Sequence, residues 1–307
     1  MARIDREIRR WGTHPSWSRL LGNPRLYPEI EERLTGLLAA PDTLVLPTIT
    51  HIHLSVLPIL AAGGTLLVER RAHRTIHDGS RVAAGAGATV LRFDANEPDA
   101  LALALRGCAS GPVVVCVDGV NSMTGNLTDV PAYAALCREH GALLYIDDAH
   151  GFGVIGERRA DETSPYGATG NAIVRHTGVD YDGIVLVGGF SKAYSSLLAF
   201  VALPTDLKRR LKVEAAPYLY SGPSPVASLA GVLAGFDVND DRGDGLRARL
   251  HRLSDRVLGH VRALGVLTMN VTGTPLVELP LAPGVDLAAV AGTLWRRGIY
   301  VTLAPYP

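Results

Sequence analysis

Seven short apolar runs recur along the chain: "DTLVLP", "GTLLVE", "ATVLRF", "PVVVCVD", "ALLYIDD", "GIVLVGG" and "AFVALP". They are rich in β-branched residues, and most are apolar at nearly every position rather than at alternate ones, which marks strands buried on both faces. Segments with helical spacing separate most of them, among them "YPEIEERLTGLLAA", "EPDALALALRG" and "PAYAALCREHG". Alternation of this kind predicts an α/β fold, a mostly parallel sheet sandwiched by helices. Beyond about Asp237 the texture changes. "NDDRGDGLRARLHRLSDRVLGHVRALG" reads as a charged amphipathic helix opened by its Asn/Asp cluster, and "TPLVELPL" and "IYVTLAP" read as strands of a second unit. The expected division is a large domain over 1–238, with an N-terminal arm over 1–25, and a smaller C-terminal α+β domain over 239–307. That second domain reads as incomplete, because its final strand-like run still needs a neighbour.

Charge and cysteine content narrow the partners. Lys plus Arg equals Asp plus Glu at 30 each, so no global field favours nucleic acid or an anionic membrane, and a small-molecule partner is expected. Cys108, Cys116 and Cys137 show no CxxC spacing, which suits a reducing compartment. The first residues, "MARIDREIRRWG", are charged throughout, and nothing downstream approaches the length of a membrane span. The chain reads as cytoplasmic.

In an open parallel sheet, ligands bind at the carboxyl ends of strands. "VVVCVDGVNSMTG" ends in Asp118 and Ser122, "LLYIDDAHGFG" in Asp147, Asp148 and His150, "IVLVGGFSK" in Ser191 and Lys192, and "TLLVERRAH" in His73. Taken singly, Asp147 is as well explained as a helix cap, His150 as a surface histidine and Lys192 as a solvated turn residue. A metal reading also competes: His51 and His53 in "HIH" have same-face strand spacing, and Asp147, Asp148 and His150 have ligand chemistry. Metal binding explains neither the lysine nor the glycines around it, and no metal is expected. Pyridoxal 5'-phosphate explains the set together. Its aldehyde needs an amine, its ring nitrogen a carboxylate, and its phosphate needs backbone N–H groups and hydroxyls.

The run "DGVNSMTGNLTDVPAYAALCREHGALLYIDDAHGFGVIGER", followed by "GGFSKA", resembles the α-oxoamine synthases, which are fold type I (aspartate aminotransferase-like) pyridoxal phosphate enzymes. The resemblance extends from about Trp11 to the C-terminus. It implies a pyridoxal phosphate-dependent acyltransferase that condenses an amino acid with an acyl thioester, on coenzyme A or a carrier protein, to an α-amino ketone, in most members with loss of carbon dioxide. It implies that Lys192 binds the cofactor aldehyde and later removes the α-proton, and that Asp147 pairs with the ring nitrogen. His150 would hydrogen-bond the ring hydroxyl with Ser122 nearby, His73 would stack on the ring, and Arg19 matches an arginine of the family's "GSR" segment. It also implies a homodimer with the site at the interface. Other fold type I activities (aminotransferase, decarboxylase, racemase) and a catalytically impaired partner subunit are the alternatives.

Several positions depart from the family pattern. Ile49 and Thr50 replace a glycine and a stacking aromatic, so the phosphate would rest on a helix N-terminus, with the Thr50 hydroxyl and the His51 backbone N–H as donors. Gly189 stands where a threonine is usual, leaving Ser191 as the nearest hydroxyl. Ser221 is followed by Gly222 where paired hydroxyls from a neighbouring subunit are usual. The stretch from His150 to Lys192 reads as lengthened by a surface insertion. An additional N-terminal segment and a carboxylate-binding arginine near the C-terminus are the family features without a match.

Overall fold

The computed structural model describes residues 1–304 except Ser110, Asp161 and Thr163. All seven apolar runs are strands: β1 (Asp42–Leu46), β2 (Thr65–Glu69), β3 (Thr89–Phe93), β4 (Val113–Asp118), β5 (Leu143–Asp147), β6 (Ile184–Gly189) and β7 (Ala199–Leu203). They form one sheet in the order β1-β7-β6-β5-β4-β2-β3. Only β7 runs against its neighbours, pairing antiparallel with both β1 and β6. The carboxyl ends of the other six strands therefore share one edge.

Eleven helices surround the sheet among the described residues: α1 (Ala2–Trp11), α2 (Leu26–Leu38), α3 (Ile49–Ala61), α4 (Arg74–Gly85), α5 (Pro98–Arg106), α6 (Val130–Glu139), α7 (Ala172–Thr177), α8 (Thr205–Glu214), α9 (Ala216–Leu219), α10 (Val226–Ala263) and α11 (Leu287–Arg296). One core, containing Leu34, Leu101, Tyr133, Ile173 and Phe236, lies under α2, α5, α6, α7 and α10. The other, containing Ile52, Val56, Ile76, Leu211 and Tyr218, lies under α3, α4, α8 and α9. Coverage on both faces explains why β2 and β6 are buried at every position, whereas β3, at the sheet edge, is largely exposed.

Four sequence expectations change. "HIH" lies on α3, because Ile49, Ile52, Val56 and Leu60 recur with helical spacing and Thr48 supplies an N-cap whose hydroxyl accepts from His51 N–H. At i, i+2 on a helix, His51 and His53 take different faces: His51 is exposed and His53 wholly buried. α10 runs unbroken through residue 238, so the Asn/Asp cluster opens no new helix; Arg33 pairs there with Asp237 (2.6 Å) and Asp240 (2.6 Å). "TPLVELPL" and the described part of "IYVTLAP" form no strand; Pro305 lies outside the described residues. A strand needs a pairing partner, and here 269–276 instead docks on the turn after β4, where Thr274 Oγ1 donates to Gly125 O (2.6 Å) and Val271 N–H to Asn126 Oδ1 (3.0 Å). The stretch from His150 to Lys192 is not all surface, for Tyr166, Ile173, Val174 and Tyr181 are part of the core.

Arg19 is a structural residue. Its guanidinium lies 3.7 Å over the Tyr27 ring, donates to Val45 O (2.6 Å) and pairs with buried Glu31 (3.1 Å), tying the N-terminal segment and α2 to β1.

Candidate active site

The shared strand edge carries a cavity of about 200 Å³, lined by Thr48, Ile49, Thr50, His73, Thr75, Asp118, Val120, Ser122, Asp147, Ala149, His150, Ser191, Lys192, Leu197 and Leu198. Register explains the convergence. Asp118 and Asp147 are paired partners at the ends of β4 and β5, and Asp147 is level with Val187 of β6, so each loop leaves the sheet at the same height. Of the residues singled out in the sequence, Lys192, Asp147, His73, His150, Ser122, Thr50 and Ser191 come together here. His51 and Ser221 do not. The His51 N–H is already donated to Thr48 Oγ1 (3.2 Å), which leaves it no free donor for a ligand, and Ser221 is exposed outside the cavity.

Two carboxyls meet in the cavity, both buried, and the hydrogen bonds to Asp147 separate their states. Asp118 is raised well above the usual carboxylate range by burial first and by the charge of Asp147 second, although His73 N–H donates to its Oδ1 (2.8 Å). For Asp147, burial pushes upward, but His53 Nε2 at 2.9 Å from Oδ2 and Ala149 N–H at 3.0 Å from Oδ1 more than offset it and hold the carboxyl below the ordinary value. Asp147 is the charged member of the pair. Asp148 lies on the opposite face, where Ile173 N–H donates to it (2.8 Å) and burial pushes it up to about 8. Burial, and then the charge of Lys192, lower His150 to about 4, so it is a neutral imidazole at neutral pH. His73 caps α4 and is likewise lowered by burial. No group of three or more His, Cys, Asp or Glu is placed to hold a metal ion among the described residues.

The sequence reading missed Thr48, which both caps α3 and lines the cavity, and it assigned His53 to a metal alternative. A threonine immediately before an apolar run of helical spacing was the available signal for both.

Two of the departures from the family pattern explain each other. A Cβ built on Gly189 would lie 2.7 Å from Ile49 Cδ1, so the Ile49 side chain occupies the space a threonine would need. Gly189→Thr alone should destabilise by about 1–2 kcal/mol through overpacking, and Ile49→Ala should relieve most of that loss in the double variant. Thermal denaturation of the four proteins measures the coupling; equal losses in both backgrounds would show that the two positions are independent.

Residues 16–307 match the family described as aminotransferase class I and II. The chain belongs to that family of pyridoxal phosphate-dependent transferases. It is 34% identical over 295 residues to an 8-amino-7-oxononanoate synthase of Pseudomonas aeruginosa (strain LESB58), covering 95% of this chain and 69% of that one. To a serine palmitoyltransferase of Caulobacter vibrioides (strain NA1000 / CB15N) it is 30% identical over 300 residues, covering 96% and 70%. Both relatives are α-oxoamine synthases. Among solved structures, a serine palmitoyltransferase from S. paucimobilis superposes with a TM-score of 0.88 at 22% identity, covering 98% of this chain and 75% of that one. An 8-amino-7-oxononanoate synthase from Francisella tularensis gives 0.82 at 17%, covering 100% and 83%. These likenesses establish the fold type I architecture.

The donor set fits the family's cofactor. An amine, a buried charged carboxylate, two neutral-leaning imidazoles and the hydroxyls of Thr48, Thr50, Ser122 and Ser191 face one cavity. No described helix is long and apolar enough to cross a membrane.

Proposed function

We propose that this chain is a cytoplasmic acyltransferase that condenses an amino acid with an acyl thioester, with loss of carbon dioxide, to give an α-amino ketone. The observation that carries the reading is the meeting of Lys192 with a charged Asp147 across one small cavity. When bound, pyridoxal phosphate supplies an electron sink for negative charge at the amino acid's α-carbon. Lys192 Nζ would hold the cofactor and then take the α-proton. Asp147 would accept a hydrogen bond from the ring nitrogen and keep it protonated. His73 would pack on the ring, and neutral His150, with Ser122, would offer hydrogen bonds to the ring hydroxyl. Thr48, Thr50 and Ser191 would serve the phosphate, with Ser191 in place of the hydroxyl absent at Gly189. In this reading residues 1–238 carry the cofactor and 239–307 belong to the smaller domain.

The test is an absorbance spectrum of purified protein supplied with pyridoxal phosphate, before and after borohydride, followed by mass spectrometry of products from candidate amino acids and thioesters. A visible band abolished by borohydride and an α-amino ketone product support the reading. Transamination or simple decarboxylation in place of condensation would redirect it to another activity of the family.

Assembly is part of the proposal. The chain has glycine at 189 and 222, where the family pattern has hydroxyls, and Ser221 is exposed outside the cavity, placed to complete the site of a second copy related by a twofold axis. Cofactor retention should then fall as the protein is diluted through its dimer dissociation constant, because a ligand of the dimer is linked to association. Sedimentation recorded at protein and cofactor wavelengths follows both; a monomer with stoichiometric cofactor at every concentration refutes the shared site.

A further inference from the structure

His53 is fully buried, and each ring nitrogen of its side chain has one buried polar partner. Tyr145 and Asp147, two residues apart, share the face of β5 that α3 covers. The Tyr145 hydroxyl lies 2.8 Å from His53 Nδ1, and Asp147 Oδ2 lies 2.9 Å from Nε2. Burial keeps the Tyr145 hydroxyl protonated, so it can donate to Nδ1 and leave Nε2 as the N–H that donates to the carboxylate. The backbone that carries the imidazole is held in place, because α4 packs closely against α3 here: a Cβ on Gly79 would come within 2.4 Å of the His53 carbonyl oxygen.

Asp147 is flanked by two other carboxyls, Asp118 across the β4–β5 pair and Asp148 next in the chain, and both are disfavoured by its charge. Among the described residues His53 is the only side chain hydrogen-bonded to its carboxylate. Resting on the reading of Asp147 as the partner of the cofactor's ring nitrogen, we infer that His53 is a positioning residue: it holds the Asp147 carboxylate as a charged, aimed acceptor for that nitrogen, and Tyr145 fixes the imidazole tautomer that lets it do so. Without the Nε2–H donor the carboxylate is buried beside two others with only the Ala149 N–H to satisfy it. A proton would then move from the ring nitrogen to Asp147, and the electron sink would weaken.

The experiment uses wild type, His53→Gln and His53→Asn, each loaded with pyridoxal 5'-phosphate carrying 15N in the ring. The glutamine amide reaches toward Asp147 as the imidazole does, and the shorter asparagine falls away from it. The 15N shift near neutral pH reports ring protonation directly, and deuterium exchange at the α-carbon of a bound amino acid reports the sink. The protonated-nitrogen shift should persist in wild type and His53→Gln. In His53→Asn it should move toward that of neutral pyridine, with exchange slowed about tenfold or more, the scale of a lost hydrogen bond to a charged group. His53→Asn carrying stoichiometric cofactor with wild-type shift and exchange overturns the inference while leaving the reading of the site intact. A wild-type protein with no cofactor signal overturns that reading and the inference with it.

Discussion

Lys192→Ala should purify folded, without the visible absorbance band that borohydride removes from wild type, and with turnover reduced by about three orders of magnitude or more. The size of the effect follows from the residue's isolation. Lys192 lies three residues beyond β6 on a loop, exposed to the cavity, and makes no ion pair or hydrogen bond among the described residues. Nothing in the fold depends on it, so thermal stability should change by no more than about 0.5 kcal/mol, as for other unpartnered exposed positions. In the proposed chemistry everything depends on it, because among the described residues no other amine lines the cavity. Arginine cannot form the covalent link, and the two imidazoles at His73 and His150 offer no primary amine. Spectra, denaturation and turnover measured on one preparation separate these claims. A variant that keeps the band and the turnover of wild type removes the basis of the assignment.

How much of this was legible beforehand depends on whether a feature is local. The seven strands were, since runs such as "PVVVCVD" are buried on both faces and carry that fact in composition. Lys192, Asp147 and His150 were, because polar residues immediately after such runs must lie at the strand ends whatever the loops do. His53 was not. Its value lies in a contact with Asp147, 94 positions away in sequence, and "HIH" fits the spacing of a strand as readily as a helix. The C-terminal region misled for a related reason. Apolar runs such as "TPLVELPL" state a strand preference that is realised only where a neighbouring strand offers its N–H and C=O groups, and here the segment meets the turn around Gly125 instead. The paired departures at Ile49 and Gly189 were each visible singly; that they fill the same space became visible only in three dimensions.

Asp147→Asn should keep the cofactor and the fold yet slow α-proton exchange by about 100-fold or more, equivalent to about 2.7 kcal/mol on the barrier. The amide is nearly isosteric, and its oxygen can still accept from Ala149 N–H, a bond that is 3.0 Å long in the native site. In the proposed reading cofactor attachment rests on Lys192 and should survive. What disappears is the charge. A neutral amide cannot keep the ring nitrogen protonated, so the electrons released when the α-proton leaves are no longer drawn into the ring. The pH dependence sharpens the test. Burial raises the carboxyl but the hydrogen bonds from His53 and the Ala149 N–H outweigh it, so the net value lies below the ordinary carboxylate range and Asp147 stays ionised as pH falls through that range. The deficit of the variant relative to wild type should therefore hold from neutral pH down through mild acid, and close only where the depressed carboxyl finally takes up its proton. Deuterium exchange at the α-carbon, measured across that interval with bound amino acid, reads it directly. A deficit that closed already at the ordinary carboxylate value would mean that His53 does not govern the charge. Exchange at the wild-type rate would reduce Asp147 to the backbone cap that its contact with Ala149 already makes it.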